Sequence, residues 1–156
     1  MIEDGAHQLL SESAQRVLET MFFVTPGKVS ADPRRPAGKL IAASLTFQGT
    51  PAGRFGFVVS DSVAWTLAAN FIGCDDAVCL LPAQVAGVME ELANMMCGAT
   101  LSELESDGIF DLGAPESMHV GANEPRPDYS AGSPSTCRFE FAGGALVFFL
   151  AFEEPV

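Results

Sequence analysis

Residues 82–98 read PAQVAGVMEELANMMCG, and the spacing of their apolar side chains decides how the chain is built. Val85, Val88, Met89, Leu92, Met95 and Met96 recur at helical spacing and share one face. Pro82 suits a first helical turn, so the spacing predicts a helix from Pro82 to about Cys97. A face this apolar must lie on a core rather than in water. A second stripe runs along the same helix: Gln84, Gly87, Glu91, Asn94 and Gly98 are separated by three, four, three and four residues. Glu91 and Asn94 therefore project together, with a glycine on either side of them.

Working outward, residues 4–23 carry Ala6, Leu9, Leu10, Ala14, Val17, Leu18 and Met21 at the same period, a first helix stopped by Pro26 and Gly27. Residues 30–39 are a polar connector. LIAASLTF (40–47) and RFGFVVS (54–60) are strand-like and joined by the turn formers QGTPAG, a hairpin. Ser60 or Asp61 can cap a helix over 62–72 that buries Ala64, Leu67, Ala68 and Phe71, with Gly73 ending it. Residues 121–134 are rich in Gly, Pro, Asn and Ser and read as an exposed loop. The chain closes on a second hairpin with a turn at Gly143-Gly144. Residues 138–141 alternate, as in a strand with one wet face; residues 145–152 do not, as in a strand covered on both. Helices alternate with antiparallel hairpins, so the expected fold is α+β: an antiparallel or mixed sheet with helices packed on it, one domain over 1–156.

Composition excludes several functions. The 156 residues are 48% apolar and 18% charged, enough for a sizeable core. Twelve Phe against one Trp and one Tyr point to a dry interior. Twenty acidic residues face eight basic ones, a formal charge of −12. That balance argues against nucleic acid and against anionic lipid. The apolar runs are too short to span a bilayer, and residues 1–4 lack a basic, apolar leader, so a cytoplasmic protein is expected. The mean hydropathy of +0.26 leaves room for an apolar surface covered by a partner. Cys74, Cys79, Cys97 and Cys137 form no close pair, and His7 and His119 lie far apart. The cysteines are expected as small buried hydrophobes rather than metal ligands or disulfides.

The chemistry on offer at Glu91 and Asn94 is limited. A carboxylate can pair with a lysine, act as a base or bind a metal. A carboxamide is barely basic but a good positioner, with one acceptor and two donors on a planar group. Without a Ser, Cys or His partner, the pair favours orienting a water over covalent catalysis. The plainer account is a solvated polar face. Gly87 has two accounts as well. A mid-helix Gly costs about 1 kcal/mol relative to Ala, so either a neighbouring helix of this chain or a partner surface approaches there, the neighbouring helix being the simpler.

VMEELANMMCGATLS (88–102) resembles the signature of the CheX/CheC family of chemotaxis phosphatases, a helix-borne Glu-x-x-Asn followed shortly by Gly. RVLETMFF (16–23) and the order of hairpins are also similar to CheX-like domains. The resemblance implies a pseudo-repeat of two helix-plus-strands units and a protein substrate, the phosphorylated CheY-type response regulator. It implies that Asn94 orients the water attacking the aspartyl phosphate and that Glu91 pairs with the regulator's lysine. It also implies that Gln84, Gly87 and Gly98 lie on the docking stripe, and that Mg2+ is held by the regulator, this chain having no cofactor of its own. A homodimer is expected on the same grounds, with the apolar ALVFFLAF (145–152) suiting either an interface or a buried central strand. Placing Glu19 against Glu91 puts Phe22 where a second Asn would stand, so one site is expected. Glu116, Ser117 and His119 make residues 112–121 more polar than the family's usual strand, which leaves its pairing open. The alternative function is a non-catalytic module that docks a signalling or flagellar switch protein.

Overall fold

The structure, a computed structural model, describes residues 2–74, 79–104, 108–121 and 135–153. In chain order the elements are α1 (Ile2–Met21), β1 (Lys28–Ser30), β2 (Leu40–Gln48), β3 (Gly53–Ser60), α2 (Asp61–Ile72), α3 (Pro82–Leu104), β4 (Asp111–Leu112), β5 (Glu116–Val120), β6 (Ser135–Phe141) and β7 (Gly144–Phe152). The seven strands form one sheet in the order β1-β6-β7-β3-β2-β4, with β5 also on β2. Every pairing is antiparallel, so the α+β expectation holds and the sheet is purely antiparallel.

The order is the same read from either edge. A helix, an edge strand and a hairpin (α1, β1, β2-β3) are followed by a second set (α3, β4/β5, β6-β7). Each set's edge strand pairs with the other set's hairpin, and the two hairpins meet at β3-β7. This is the two-unit repeat that the resemblance implied.

One face of the sheet carries the core. Ile41, Ala43, Leu45 and Phe47 of β2, Phe55, Phe57 and Val59 of β3, Phe139 of β6 and Phe148 of β7 cluster there with Leu10, Ala14 and Leu18 of α1 and Met89, Leu92 and Met96 of α3. Phe148 lies 5.7 Å from both Phe55 and Phe139, ring to ring. Removing such a buried Phe side chain costs about 3–5 kcal/mol. The other face holds a smaller cluster, Leu40, Ala42, Val58, Val120 and Val147. With neighbours on both edges and apolar clusters on both faces, β7 is a central strand, so its uniform apolarity carries no argument for a second copy.

Several boundaries differ from expectation. α1 stops at Met21, ahead of Pro26, because Phe22 is drawn into the core. Its ring stacks on Phe71 at 4.9 Å, and its carbonyl accepts a bond from Asn70 Nδ2. The Phe22 and Val24 amides both donate to the Leu18 carbonyl across a left-handed Phe23, φ 56°. Gly73 ends α2 as expected. Ser60 stands at the N-cap of α2, but its hydroxyl bonds the Ala145 amide (2.9 Å) and carbonyl (3.3 Å) instead of capping. A Cβ on Gly144 would sit 2.2 Å from that hydroxyl oxygen, so this crossing needs glycine. The final turn is Ala142-Gly143 rather than Gly143-Gly144, because Gly144 already pairs with Phe141. Short β1, which the sequence reading did not assign, exists because β6 offers it an edge. The predicted loop over 121–134 lies outside the described residues apart from Gly121.

The pairing left open at 112–121 is settled by a bulge. Leu112 pairs with Phe47 and Glu116 with Ser44, so Gly113, Ala114 and Pro115 stand opposite only Leu45 and Thr46. The Gly113 amide donates to the Thr46 carbonyl at 2.8 Å, and a Cβ on Gly113 would press on that carbonyl at 3.0 Å. Proline is tolerated at such a break in an edge strand.

Candidate functional site on α3

α3 starts where the sequence placed it. Pro82 is its first residue, and the Leu81 amide donates to Gln84 Oε1 at 2.8 Å. Gln84 thus closes the first turn of the helix, in the manner of a capping box, as well as standing on the polar stripe. The helix continues past Cys97 to Leu104. Gly98 lowers helix propensity without ending it, because Thr100 and Leu101 beyond it are buried. Val85, Val88, Met89, Leu92 and Met96 are buried, and Met95 is half-buried against the core.

The polar stripe faces outward. Gln84, Gly87 and Glu91 are exposed; Asn94 and Gly98 are half-buried. A Cβ built on Gly87 or on Gly98 meets nothing within 4 Å. The neighbouring-helix account of Gly87 is therefore wrong: no part of the described chain packs there. Two glycines weaken this helix, by about 1 kcal/mol each, although among the described residues nothing would obstruct a Cβ at either position.

Glu91 and Asn94 are also distinguished by what they lack. Gln84, Glu90, Thr100 and Glu103 of the same helix each have a hydrogen-bond partner. Neither Glu91 nor Asn94 has one among the described residues. Both remain available to a molecule arriving from solvent, with room beside them at Gly87 and Gly98. The cavities of about 510 Å³ and 480 Å³ lie instead around α2 and the β6-β7 turn, and no residue of α3 lines either.

Other candidate groups are poorly placed for chemistry. Burial pushes the Cys97 and Cys137 thiols up to about 12, so neither is a nucleophile near neutral pH. The expectation of four buried cysteines fails at the other two, since Cys74 is half-buried and Cys79 exposed. Among the described residues no three His, Cys, Asp or Glu side chains gather as a metal site, and no helix is long and apolar enough to cross a membrane. On α1, Glu19 is exposed and bonded by Gln15, while Phe22, just beyond its end, is fully buried. A buried ring at that position is not presented to a partner. Sequence reasoning missed Ser117, whose hydroxyl donates to Glu90 Oε2 at 2.8 Å beside the stripe; the polarity of residues 116–119 was the available signal.

The architecture defines a class, an antiparallel sheet built twice from a helix, an edge strand and a hairpin, with an open Glu-x-x-Asn face on α3. The family model described as chemotaxis phosphatase CheX matches residues 41–140, well over half the chain, and the chain belongs to that family. No curated protein sequence matches it. Among solved structures, chemotaxis protein CheX from Vibrio vulnificus is similar with a TM-score of 0.73 at 21% identity, covering 94% of this chain and 95% of that one. A CheX from Desulfovibrio desulfuricans gives a TM-score of 0.73 at 16% identity, covering 96% and 99%. The CheX of a CheX-CheY-BeF3-Mg complex from Borrelia burgdorferi gives 0.71 at 17%, covering 94% and 97%. At these identities the structures speak for the fold alone.

Proposed function

We propose that this chain hydrolyses the aspartyl phosphate of a CheY-type response regulator in the cytoplasm, with Asn94 orienting the attacking water and Glu91 pairing with the regulator's lysine. The observation that carries this reading is the outward, unpaired Glu91-Asn94 pair between Gly87 and Gly98. Family membership and the complex of the Borrelia relative with CheY support the choice of substrate.

An exposed helix face suits a protein substrate. The phosphorylated aspartate lies in the regulator's own acidic pocket, so the reagent must be brought to it. The Asn94 carboxamide accepts a hydrogen bond from a water and donates to the groups around it, which holds the water oxygen in line with phosphorus. The new P–O bond forms as the bond from phosphorus to the aspartate oxygen breaks. The aspartate leaves as a carboxylate, and the water proton passes to the departing phosphate. Glu91, three residues earlier on the same face, pairs with a lysine and holds the complex in register. Mg2+ belongs to the regulator and offsets the developing phosphate charge there. Gln84, Gly87 and Gly98 complete the docking stripe. A homodimer stays in the proposal on the family resemblance alone; light scattering of the purified chain tests it.

The test is aspartyl-phosphate decay on CheY-type receivers with wild-type protein and with Asn94→Ala. Loss of acceleration with retained binding is expected of the variant. Binding by the wild-type chain without acceleration would support the non-catalytic docking module instead.

A further inference from the structure

The polar segment that distinguished residues 112–121 lies beside the proposed docking helix. The bulge at 113–115 sets the phase of β5, so that Ser117 pairs with Ala43 and His119 with Ile41. Ala43 and Ile41 belong to the helix-side core, and Ser117 and His119 therefore face the side of the sheet on which α3 lies. Ser117 uses that position to bond Glu90. His119 is exposed and has no hydrogen-bond partner among the described residues.

The topology places His119 along α3. The chain leaves α3 at Leu104 and enters β4 at Asp111, opposite Gln48 at the far end of β2. The N-terminal turns of α3 thus lie toward the Leu40 end, where β5 finishes. Two strand residues beyond Ser117 is about 6.6 Å, and three to four helix residues before Glu90 is about 4.5–6 Å. This spacing places His119 at about the level of Ala86 and Gly87 along the helix axis.

We propose that the helix-facing edge of β5 is the second wall of the docking surface, with His119 a specificity-determining contact that donates a hydrogen bond to the receiver, and with the Glu90–Ser117 bond a positioning device. The inference rests on the phosphatase reading. Its chemical basis is complementarity. The receiver's phosphorylation pocket is acidic, and the carboxylates of Glu90 and Glu91 accept hydrogen bonds rather than donate them. His119 brings an N–H to that group of carboxylates. The Ser117 bond engages the Glu90 carboxylate, leaving Glu91 to meet the receiver's lysine.

The experiment measures KM, kcat and melting temperature for wild type, His119→Ala, His119→Gln and Ser117→Ala against each CheY-type receiver of the source genome, phosphorylated by a small phosphodonor. His119→Ala is expected to raise KM about fivefold, the scale of a significant interface contact, with kcat within about twofold and melting unchanged. His119→Gln, which keeps an N–H donor, should recover most of the loss. Ser117→Ala should raise KM in the same direction. Unchanged KM in His119→Ala, alongside wild-type turnover that Asn94→Ala abolishes, overturns this inference and leaves the phosphatase reading standing. No acceleration by wild type on any receiver overturns both.

Discussion

Gly87 offers the sharpest separation of folding from function. It lies mid-helix with no positive φ, and a Cβ there meets nothing within 4 Å. Replacing it by Ala removes the backbone-entropy cost of glycine without a clash, a gain of about 1 kcal/mol. For a chain of this size that raises the melting temperature by about 2–4 °C. Gln ranks near Ala as a helix former, so Gly87→Gln keeps most of the gain while placing a long side chain where the receiver must approach. Overfilling a close-packed contact costs about 1–3 kcal/mol, which corresponds to a rise in KM of about 5- to 150-fold. At saturating receiver, kcat should be nearly unchanged, since Asn94 is untouched. Scanning calorimetry and steady-state decay of the phosphorylated receiver read the two effects separately. A lower melting temperature in Gly87→Ala would show that the helix packs at that point after all. A wild-type KM in Gly87→Gln would remove Gly87 from the docking surface.

Further expectations follow from other residues. Glu91→Gln should raise KM with a smaller effect on kcat, and the gap from wild type should narrow as salt screens the charge pair; a gap independent of salt would rule out an ion pair. Ser60→Ala leaves the buried Ala145 amide without its partner and should destabilise the fold by about 1–3 kcal/mol, read by urea denaturation. An unchanged midpoint would mean that another group satisfies that amide. Alkylation of the native protein near neutral pH should reach exposed Cys79 well before Cys97 and Cys137, whose burial holds them as neutral thiols to about 12; mass spectrometry of the labelled peptides decides it.

The parts legible in the sequence are those where burial repeats with the period of the element. α2, α3 and the two hairpins carry that imprint in residues such as Leu67, Met89 and Phe148, and each was placed to within a few residues except at the end of α3, which runs to Leu104 rather than about Cys97. What escaped was decided by partners distant in sequence. β1 is a strand because the edge of β6 receives it, and nothing within Lys28-Val29-Ser30 reports that. α1 ends where Phe22 enters the core, since a buried stacked ring outweighs the more obvious stop at Pro26. The shared face of Gly87, Glu91, Asn94 and Gly98 follows from helix geometry and was readable. That Gly87 faces open space, that Gln84 closes the first turn, and that Ser117 engages Glu90 depend on tertiary placement.

The central claim is that Asn94 supplies positioning for hydrolysis on a partner protein. The most direct measurement is single-turnover decay of aspartyl phosphate on a CheY-type receiver that the chain demonstrably binds, comparing wild type with Asn94→Ala at saturating concentration. Wild type is expected to accelerate decay, and the variant to bind with similar affinity while decay returns to the receiver's own rate. Equal acceleration by both proteins would contradict it.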